Sequence, residues 1–180
     1  MIYFVSAHNR FLSKKVIVNG MPKGGTNLAS KCMKLIPGLS FSGIHIGRRT
    51  FEEFRTDSSH SQTMHVGIGS PTCVKFTEVK RQLSRLRSGK FGTGHIPFSE
   101  SGKSLIEEMN VGLLLVLRDP RDVVVSHAHY VAQNPSHFLF DTYSQLTREE
   151  RLKCSIAGIE DDNGLVKFLN ISQRYKSILL

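Results

Sequence analysis

The order of apolar and polar positions near the N-terminus predicts a strand, a glycine loop and a helix. Lys15–Asn19 (K-V-I-V-N) is a β-branched run, which is typical of a buried strand. Gly20–Asn27 (G-M-P-K-G-G-T-N) follows directly and is rich in glycine. Leu28–Leu35 then carries apolar residues at helical spacing, including Cys32, and Pro37 ends the predicted helix.

The rest of the chain continues to alternate between the two kinds of element. The predicted strands are Lys90–Ile96, Val111–Leu117 and Cys73–Phe76, the last of which is alternatively an earlier start of the following helix. The predicted helices are Thr77–Leu86, Glu100–Met109, one from Pro120 to before Pro135, one from Thr147 to about Ile156, and one over about Asn163–Leu180, with or without a break. Residues 1–14 form a polar lead-in, and residues 38–71 show no clear periodicity. This alternation predicts a three-layer α/β fold, in which helices flank a mainly parallel central sheet.

Two of the predicted helices begin with capping residues. Asp119 can accept a backbone hydrogen bond at the start of its helix, and Pro120 suits the first helical position. Thr147 and Glu150 have the spacing of a capping box. The chain has 180 residues, which predicts a single domain over residues 1–180.

The charge balance narrows the choice of partner only slightly. Lys and Arg total 24 against 15 Asp and Glu, a net charge of +9, which indicates an anionic partner of unspecified kind. The densest basic segment, Lys80–Lys90, is interrupted by Leu83 and Leu86 at helical spacing. We interpret it as the solvated face of an amphipathic helix and expect no nucleic-acid partner.

Targeting and cysteine patterns predict a cytoplasmic protein. The longest apolar run, Leu113–Leu117, is far too short to cross a bilayer, and no secretory block is evident. The odd number and wide spacing of the cysteines favour reduced, buried thiols over a disulfide framework. These cysteines are Cys32, Cys73 and Cys154.

The glycine loop has the composition of an anion-binding turn. Backbone N–H groups in such a turn converge on an anion at the positive end of the following helix dipole. Lys23 adds a cation, and Thr26 and Asn27 add side-chain donors. Gly20 and Gly25 have the spacing of a nucleotide-binding P-loop, but Thr26 stands where that motif needs lysine. This departure weighs against an ordinary ATPase or kinase, and a purely structural turn is a further alternative.

Three more residues complete a candidate site. Arg118 follows an apolar strand at the edge where ligands gather in open α/β sheets, and Ser126 lies on the helix after it. A guanidinium and a hydroxyl suit a phosphate monoester, so two separate anion sites predict a ligand with two phosphate-bearing ends. His95 ends a predicted strand and is a candidate general base. The histidine pairs lack the carboxylates or cysteines of a metal site, so we expect no metal.

Segments around these residues occur in a fixed order: Pro22–Leu28 (P-K-G-G-T-N-L), His95–Pro97 (H-I-P) and Arg118–Ser126 (R-D-P-R-D-V-V-V-S). Together they resemble the sulfotransferases that use 3′-phosphoadenosine 5′-phosphosulfate. The family's corresponding motifs are P-K-S-G-T-T-W, H-[LI]-P and R-[ND]-P-[RK]-D-x-x-x-S. Thr93 stands where cytosolic members often have lysine. The family's C-terminal G-x-x-G-x-x-K region has no counterpart, so the resemblance predicts a C-terminally incomplete domain.

The resemblance implies a fold like that of the P-loop-containing nucleotide hydrolases and transfer of a sulfuryl group to a hydroxyl or amine. The acceptor would be a small molecule or a glycan, and the family mechanism needs no metal. His95 would be the general base, and Lys23 would stabilise the leaving phosphate. The implied donor-binding residues are Lys23, Gly24, Gly25, Thr26, Asn27, Leu28, Arg118 and Ser126. Two alternatives stay open, a small-molecule kinase that uses Mg²⁺ and a non-catalytic nucleotide-binding remnant of a sulfotransferase.

Overall fold

Four parallel strands form the central sheet in this computed structural model, which describes residues 15–56, 62–160 and 166–179. The strands in chain order are β1 (Lys15–Gly20), β2 (Ser40–Ile46), β3 (Thr63–Val66), β4 (Thr72–Lys75), β5 (Lys90–Gly94), β6 (Val111–Val116), β7 (Ile159–Glu160) and β8 (Val166–Phe168). The helices are α1 (Thr26–Met33), α2 (Phe76–Ser84), α3 (Glu100–Glu108), α4 (Pro120–Ala132), α5 (Phe140–Gln145), α6 (Arg148–Ala157) and α7 (Ile171–Leu179). A 3₁₀ helix covers Arg48–Phe54.

The central sheet has the order β2-β5-β1-β6 and carries helices on both faces. Val16 and Val18 of β1 pack with residues of α1 on one face. Ile17 packs on the other face in a cluster that includes residues of α2 and α3. Burial on both faces explains why β1 is a continuous β-branched run. The prediction of a mainly parallel sheet flanked by helices is confirmed.

The apolar stripe predicted for the first helix is wrong. Leu28 and Leu35 are 67% and 82% exposed, and Cys32 is exposed as well, against the expectation of a buried thiol. The buried residues of α1 are Thr26, Ala29 and Met33. The helix begins at Thr26, two residues before the predicted start at Leu28, because the glycine turn ends at Gly25. The turn orients α1 so that the buried residues, and not Leu28, face the sheet.

The helix predicted over about Asn163–Leu180, with or without a break, is wrong in its first part and confirmed over α7. Of that range, the described residues form β8 and the shorter helix α7. The side chain of Asn170 accepts a hydrogen bond from the Gln173 N–H at 2.8 Å, which starts α7 after the strand instead of within one long helix. The predicted polar lead-in, residues 1–14, lies outside the described residues.

Helix α4 is attached to its neighbours by a buried polar cluster around His127. The His127 Nδ1 atom lies 3.0 Å from the Ser155 Oγ atom on α6, and the Tyr143 hydroxyl on α5 lies 3.0 Å from the same Oγ. The His127 ring stacks on Phe168 of β8, with centroids 4.4 Å apart. Asp119 caps α4 as predicted, accepting from the Arg121 N–H at 2.9 Å. These contacts fix the helix that carries Ser126.

We expect this cluster to make the protein unstable in acid. Burial, with a smaller contribution from Arg174, lowers the pKa of His127 to about 3 from its ordinary value of 6.5. The unfolded chain therefore binds a proton that the folded chain excludes, so stability is complete above pH 6.5 and falls as the pH approaches 3. The expected loss from this residue between pH 6.5 and pH 4 is on the order of 3 kcal/mol.

Urea unfolding measured across this pH range tests the expectation. Burial also lowers the pKa of His45 and of His137 to about 4, so both add to the trend in the same direction. The variant His127→Gln should show a shallower pH dependence, because an amide does not titrate. If the free energy of unfolding changed equally with pH in the variant and the wild type, the acid sensitivity would not come from His127.

Candidate nucleotide-binding and catalytic site

The turn between β1 and α1 requires an unusual backbone. Gly25 has a φ of 104°, which favours glycine because it has no Cβ, and Lys23 adopts the left-handed region with a φ of 66°. The Gly24 N–H donates to the Met21 carbonyl oxygen at 2.8 Å and closes the turn. That N–H is consequently occupied within the loop.

A close approach at the end of β1 places one unpaired hydroxyl in the turn. A Cβ at Gly20 would lie 2.9 Å from the Thr26 Oγ1 atom and from the Val116 carbonyl oxygen, so only glycine fits there. Within the described residues, the buried Thr26 Oγ1 has no hydrogen-bond partner. Leaving a buried polar group unsatisfied is costly, and such groups are often ones that bind a ligand.

A cleft of about 400 Å³ opens at the carboxyl ends of β1 and β6. It is lined by Pro22, Lys23, Gly25, Thr26, Asn27, Leu28, His95, Arg118, Ser126 and Tyr130. The two strand-to-helix corners meet here because β1 and β6 pair side by side, with Gly20 opposite Val116. Of the residues that the sequence assigned to this site, Gly24 does not line the cleft; it is buried inside the turn.

Arg118 joins the two corners of the cleft. Its Nη1 group donates to the Lys23 carbonyl oxygen at 3.4 Å, and its Nε group donates to Asp122 at 3.3 Å. The Tyr175 hydroxyl of α7 donates to the Arg118 carbonyl oxygen. The arginine is therefore held at the mouth of the cleft by both its backbone and its side chain, with part of its guanidinium exposed.

Tyr130 lies outside the sequence motifs and contacts the loop lysine directly. The Lys23 Nζ atom lies 3.9 Å from the centroid of the Tyr130 ring, a cation–π contact. Burial and the nearby Arg118 cation lower the pKa of Lys23. Tyr130 lies four residues after Ser126 on α4, so the two side chains share one face of the helix. That spacing is the signal that would have identified it.

His95 is oriented by the backbone carbonyl of Gly20, at the start of the glycine loop. Its Nδ1 atom lies 2.5 Å from the Gly20 carbonyl oxygen, which can only accept a hydrogen bond. Nδ1 therefore carries the proton and Nε2 is left as the basic nitrogen. Burial lowers the pKa of His95, and the hydrogen bond to Gly20 opposes this in part. The imidazole is neutral at neutral pH and able to accept a proton.

The segment that carries His95 is held by Asn19, a buried residue that was not assigned to the site from the sequence. The Asn19 Nδ2 group donates to the Ile96 carbonyl oxygen at 2.9 Å, and its Oδ1 atom accepts from the Ile96 N–H at 2.8 Å. The His45 ring meets the His95 ring edge to face, with centroids 5.1 Å apart, and the His45 Nδ1 atom lies 2.9 Å from the Thr93 Oγ1 atom. These contacts fix the position of the imidazole from two sides.

The described ranges 15–56, 62–160 and 166–179 lack two further features. No cluster of three or more His, Cys, Asp or Glu side chains that could hold a metal ion was found there. None of the helices there has the length and apolar character needed to span a membrane.

The chain is similar to known proteins in both its sequence and its structure. The family model described as "Sulfotransferase domain" matches residues 13–158. The crystal structure of mouse sulfotransferase SULT7A1 complexed with PAP is similar with a TM-score of 0.54 and 15% identity. The match covers 92% of this chain and 47% of the mouse chain, so this chain spans about half the length of that protein. No curated protein matches the sequence.

Proposed function

Because this chain belongs to the sulfotransferase family, we propose that it binds 3′-phosphoadenosine 5′-phosphosulfate and supports transfer of the sulfuryl group to an acceptor hydroxyl or amine. The observation that carries the proposal is the composition of one cleft. The loop cation Lys23, the junction cation Arg118 and the neutral imidazole of His95 all border it. A donor that has phosphate groups at two ends suits two cationic corners with a base between them.

The residues of the cleft fit such a donor. The buried Thr26 hydroxyl lacks a partner in the described protein, and a phosphate or sulfate oxygen would satisfy it. The start of α1 adds the positive end of a helix dipole beneath the loop. Lys23, Thr26 and Asn27 would hold the phosphosulfate end, and Arg118 and Ser126 would hold the 3′-phosphate. When bound, the donor supplies an activated sulfuryl group with a good leaving group.

His95 and Lys23 then accept the acceptor's proton and stabilise the negative charge of the leaving phosphate, respectively. His95 has its Nε2 atom available to accept the proton of the acceptor hydroxyl or amine, while Nδ1 stays bonded to Gly20. Lys23 provides positive charge where the leaving phosphate gains negative charge, and partial burial strengthens this interaction. The hydrogen bond to Gly20 holds the His95 ring, and the contact with Tyr130 holds the Lys23 ammonium group.

Nucleotide selectivity tests the donor assignment. The variant Arg118→Gln should bind adenosine 3′,5′-bisphosphate about 10- to 100-fold more weakly, since it loses a charge-assisted contact with the 3′-phosphate. Its affinity for adenosine 5′-phosphate should change much less, because that nucleotide has no 3′-phosphate. Isothermal titration calorimetry of both nucleotides against the wild type and the variant gives this comparison.

Arg121→Gln is the matched control, because Arg121 lies on the same helix, pairs with Asp119 and does not line the cleft. It should bind both nucleotides as the wild type does. Titration with ATP and Mg²⁺ separates the kinase alternative, which requires tight binding of that complex. Equal loss of affinity for the two adenosine nucleotides in Arg118→Gln would contradict recognition of the 3′-phosphate.

A further inference from the structure

A second cleft of about 630 Å³ adjoins the 400 Å³ cleft, named the nucleotide cleft after its proposed ligand, and shares part of its wall. The residues that line both are Pro22, Lys23, His95 and Tyr130. A molecule bound in the second cleft would therefore meet the candidate base from the side away from Arg118, which lines only the first cleft. If the proposed function holds, this second cleft is where the acceptor binds.

Fixed charges in the second cleft are predominantly positive. Lys23, Arg48 and Arg49 line it, and Glu52 is the carboxylate among its described lining residues. The Glu52 carboxylate already accepts from the Arg48 Nε group at 3.1 Å. After this ion pair is counted, the cations Lys23 and Arg49 remain without a carboxylate among the described lining residues. Their positive charge favours an anionic acceptor over a neutral one.

His45 and His137 line this cleft and add no charge to it at neutral pH. Burial lowers the pKa of His45 and of His137 to about 4, so both rings are neutral at neutral pH. The Arg49 and Arg48 cations contribute to the lowered pKa of His137. The same positive potential that disfavours a protonated imidazole favours an anion.

The two arginines differ in how fully their donors are used. Arg48 bonds to Glu52, donates from Nη1 to the Ser70 hydroxyl at 2.5 Å and stacks on the Phe138 ring at 4.1 Å from its centroid. Arg49 donates to Ser136 from its Nη2 group, at 2.6 Å to the carbonyl oxygen and 3.2 Å to Oγ. Within the described ranges, its Nε and Nη1 groups make no hydrogen bond, and its side chain forms no ion pair.

The remaining walls of the cleft are aromatic. Tyr130 and Phe138 are 40% and 49% exposed, and Phe168 lines the same space. Flat apolar faces beside a guanidinium suit a planar ring that carries a carboxylate, because the guanidinium stays charged and its remaining N–H groups donate charge-assisted hydrogen bonds.

We infer that the second cleft binds an anionic aromatic acceptor, with the ring between the aromatic walls, a hydroxyl towards His95 and a carboxylate on Arg49. This inference rests on the proposed function for the direction of the hydroxyl. The contact between the carboxylate and Arg49 does not depend on the proposed function, because it requires neither donor nor turnover.

Direct binding of two matched ligands tests the inference without any donor present. 4-Hydroxyphenylacetate carries the carboxylate, and 4-hydroxyphenylacetamide is its neutral counterpart. At pH 7 the wild type should bind the carboxylate about tenfold more tightly than the amide, measured by ligand-observed NMR titration. The variant Arg49→Gln should lose this preference, and Arg49→Lys should keep part of it because it keeps the charge.

Arg81→Gln is the control, since Arg81 is exposed on α2 and pairs with Glu78 away from the cleft. It should retain the full preference. Arg49 is exposed, so the melting temperature of Arg49→Gln should equal that of the wild type and show that its fold is intact. Equal binding of acid and amide by the wild type, binding of neither, or a preference that persists in Arg49→Gln would each overturn the inference.

Titration with adenosine 3′,5′-bisphosphate separates this test from that of the proposed function. Wild type that binds the bisphosphate but shows no carboxylate preference would contradict the acceptor class and leave the function standing. Wild type that shows the carboxylate preference without binding the bisphosphate would contradict the function and support recognition by Arg49.

Discussion

Replacing His95 by Asn is expected to lower the rate of sulfuryl transfer by about 10²- to 10⁴-fold, the usual contribution of a general base. The Asn side chain can still offer an N–H to the Gly20 carbonyl oxygen, which the His95 Nδ1 group contacts at 2.5 Å. It has no basic nitrogen at the position of Nε2. The variant should therefore keep the local structure and the affinity for adenosine 3′,5′-bisphosphate while it loses the proton acceptor.

Product formation measured by mass spectrometry, with calorimetry on the same protein, separates the two effects. His65→Asn is the control, because His65 is exposed on β3 and does not line the nucleotide cleft. The wild-type rate should also hold as the pH falls to 6.5, since burial lowers the pKa of His95 below that ordinary value. Unchanged turnover in His95→Asn would refute the role of the imidazole.

Replacing Lys23 by Met is expected to reduce transfer by about 10²- to 10³-fold, comparable to the loss of one oxyanion-stabilising donor. Methionine can occupy similar space against the Tyr130 ring, which the Lys23 Nζ atom approaches to 3.9 Å from the centroid. It supplies no positive charge to the leaving phosphate. The rate constant at saturating substrate should fall more than the affinity for the nucleotide product.

Lys31→Met provides the matched control, since Lys31 is exposed on α1 and lies outside the cleft. Initial rates over a range of donor concentrations separate the effect on turnover from the effect on binding. An increase in KM with unchanged kcat in Lys23→Met would assign this lysine to donor binding only and contradict its part in the chemistry.

The main elements of the fold could be predicted from local signals. The buried β-branched strand before the glycine loop is β1, and the capping residues Asp119 and Thr147 start α4 and α6 as predicted. These signals depend on neighbours a few residues away, so the sequence contains them in full. Residues 38–71 were unreadable because β2, the 3₁₀ helix and β3 are stabilised by contacts with distant strands and with the core.

The burial of individual side chains could not be predicted from local patterns, because it depends on how the helices pack on the sheet. Leu28 and Leu35 have helical spacing and apolar character, yet both are exposed. The turn at Gly25 sets which face of α1 meets the sheet and leaves Leu28 outside, and Leu35 lies beyond the end of α1 at Met33. Gly24 belongs to the loop motif, but its N–H is used within the turn at the Met21 carbonyl oxygen. Motif membership therefore did not specify which atoms are available to a ligand.

By itself, the sequence determined the α/β class and predicted most of the residues that border the nucleotide cleft, because short motifs at strand-to-helix corners have defined local geometry. Only the tertiary structure brought Tyr130 onto Lys23 and Asn19 onto the strand end that carries His95. It also built the second cleft around Arg49. Those contacts join residues that are far apart along the chain, and the side-by-side pairing of β1 with β5 and β6 decides which of them meet.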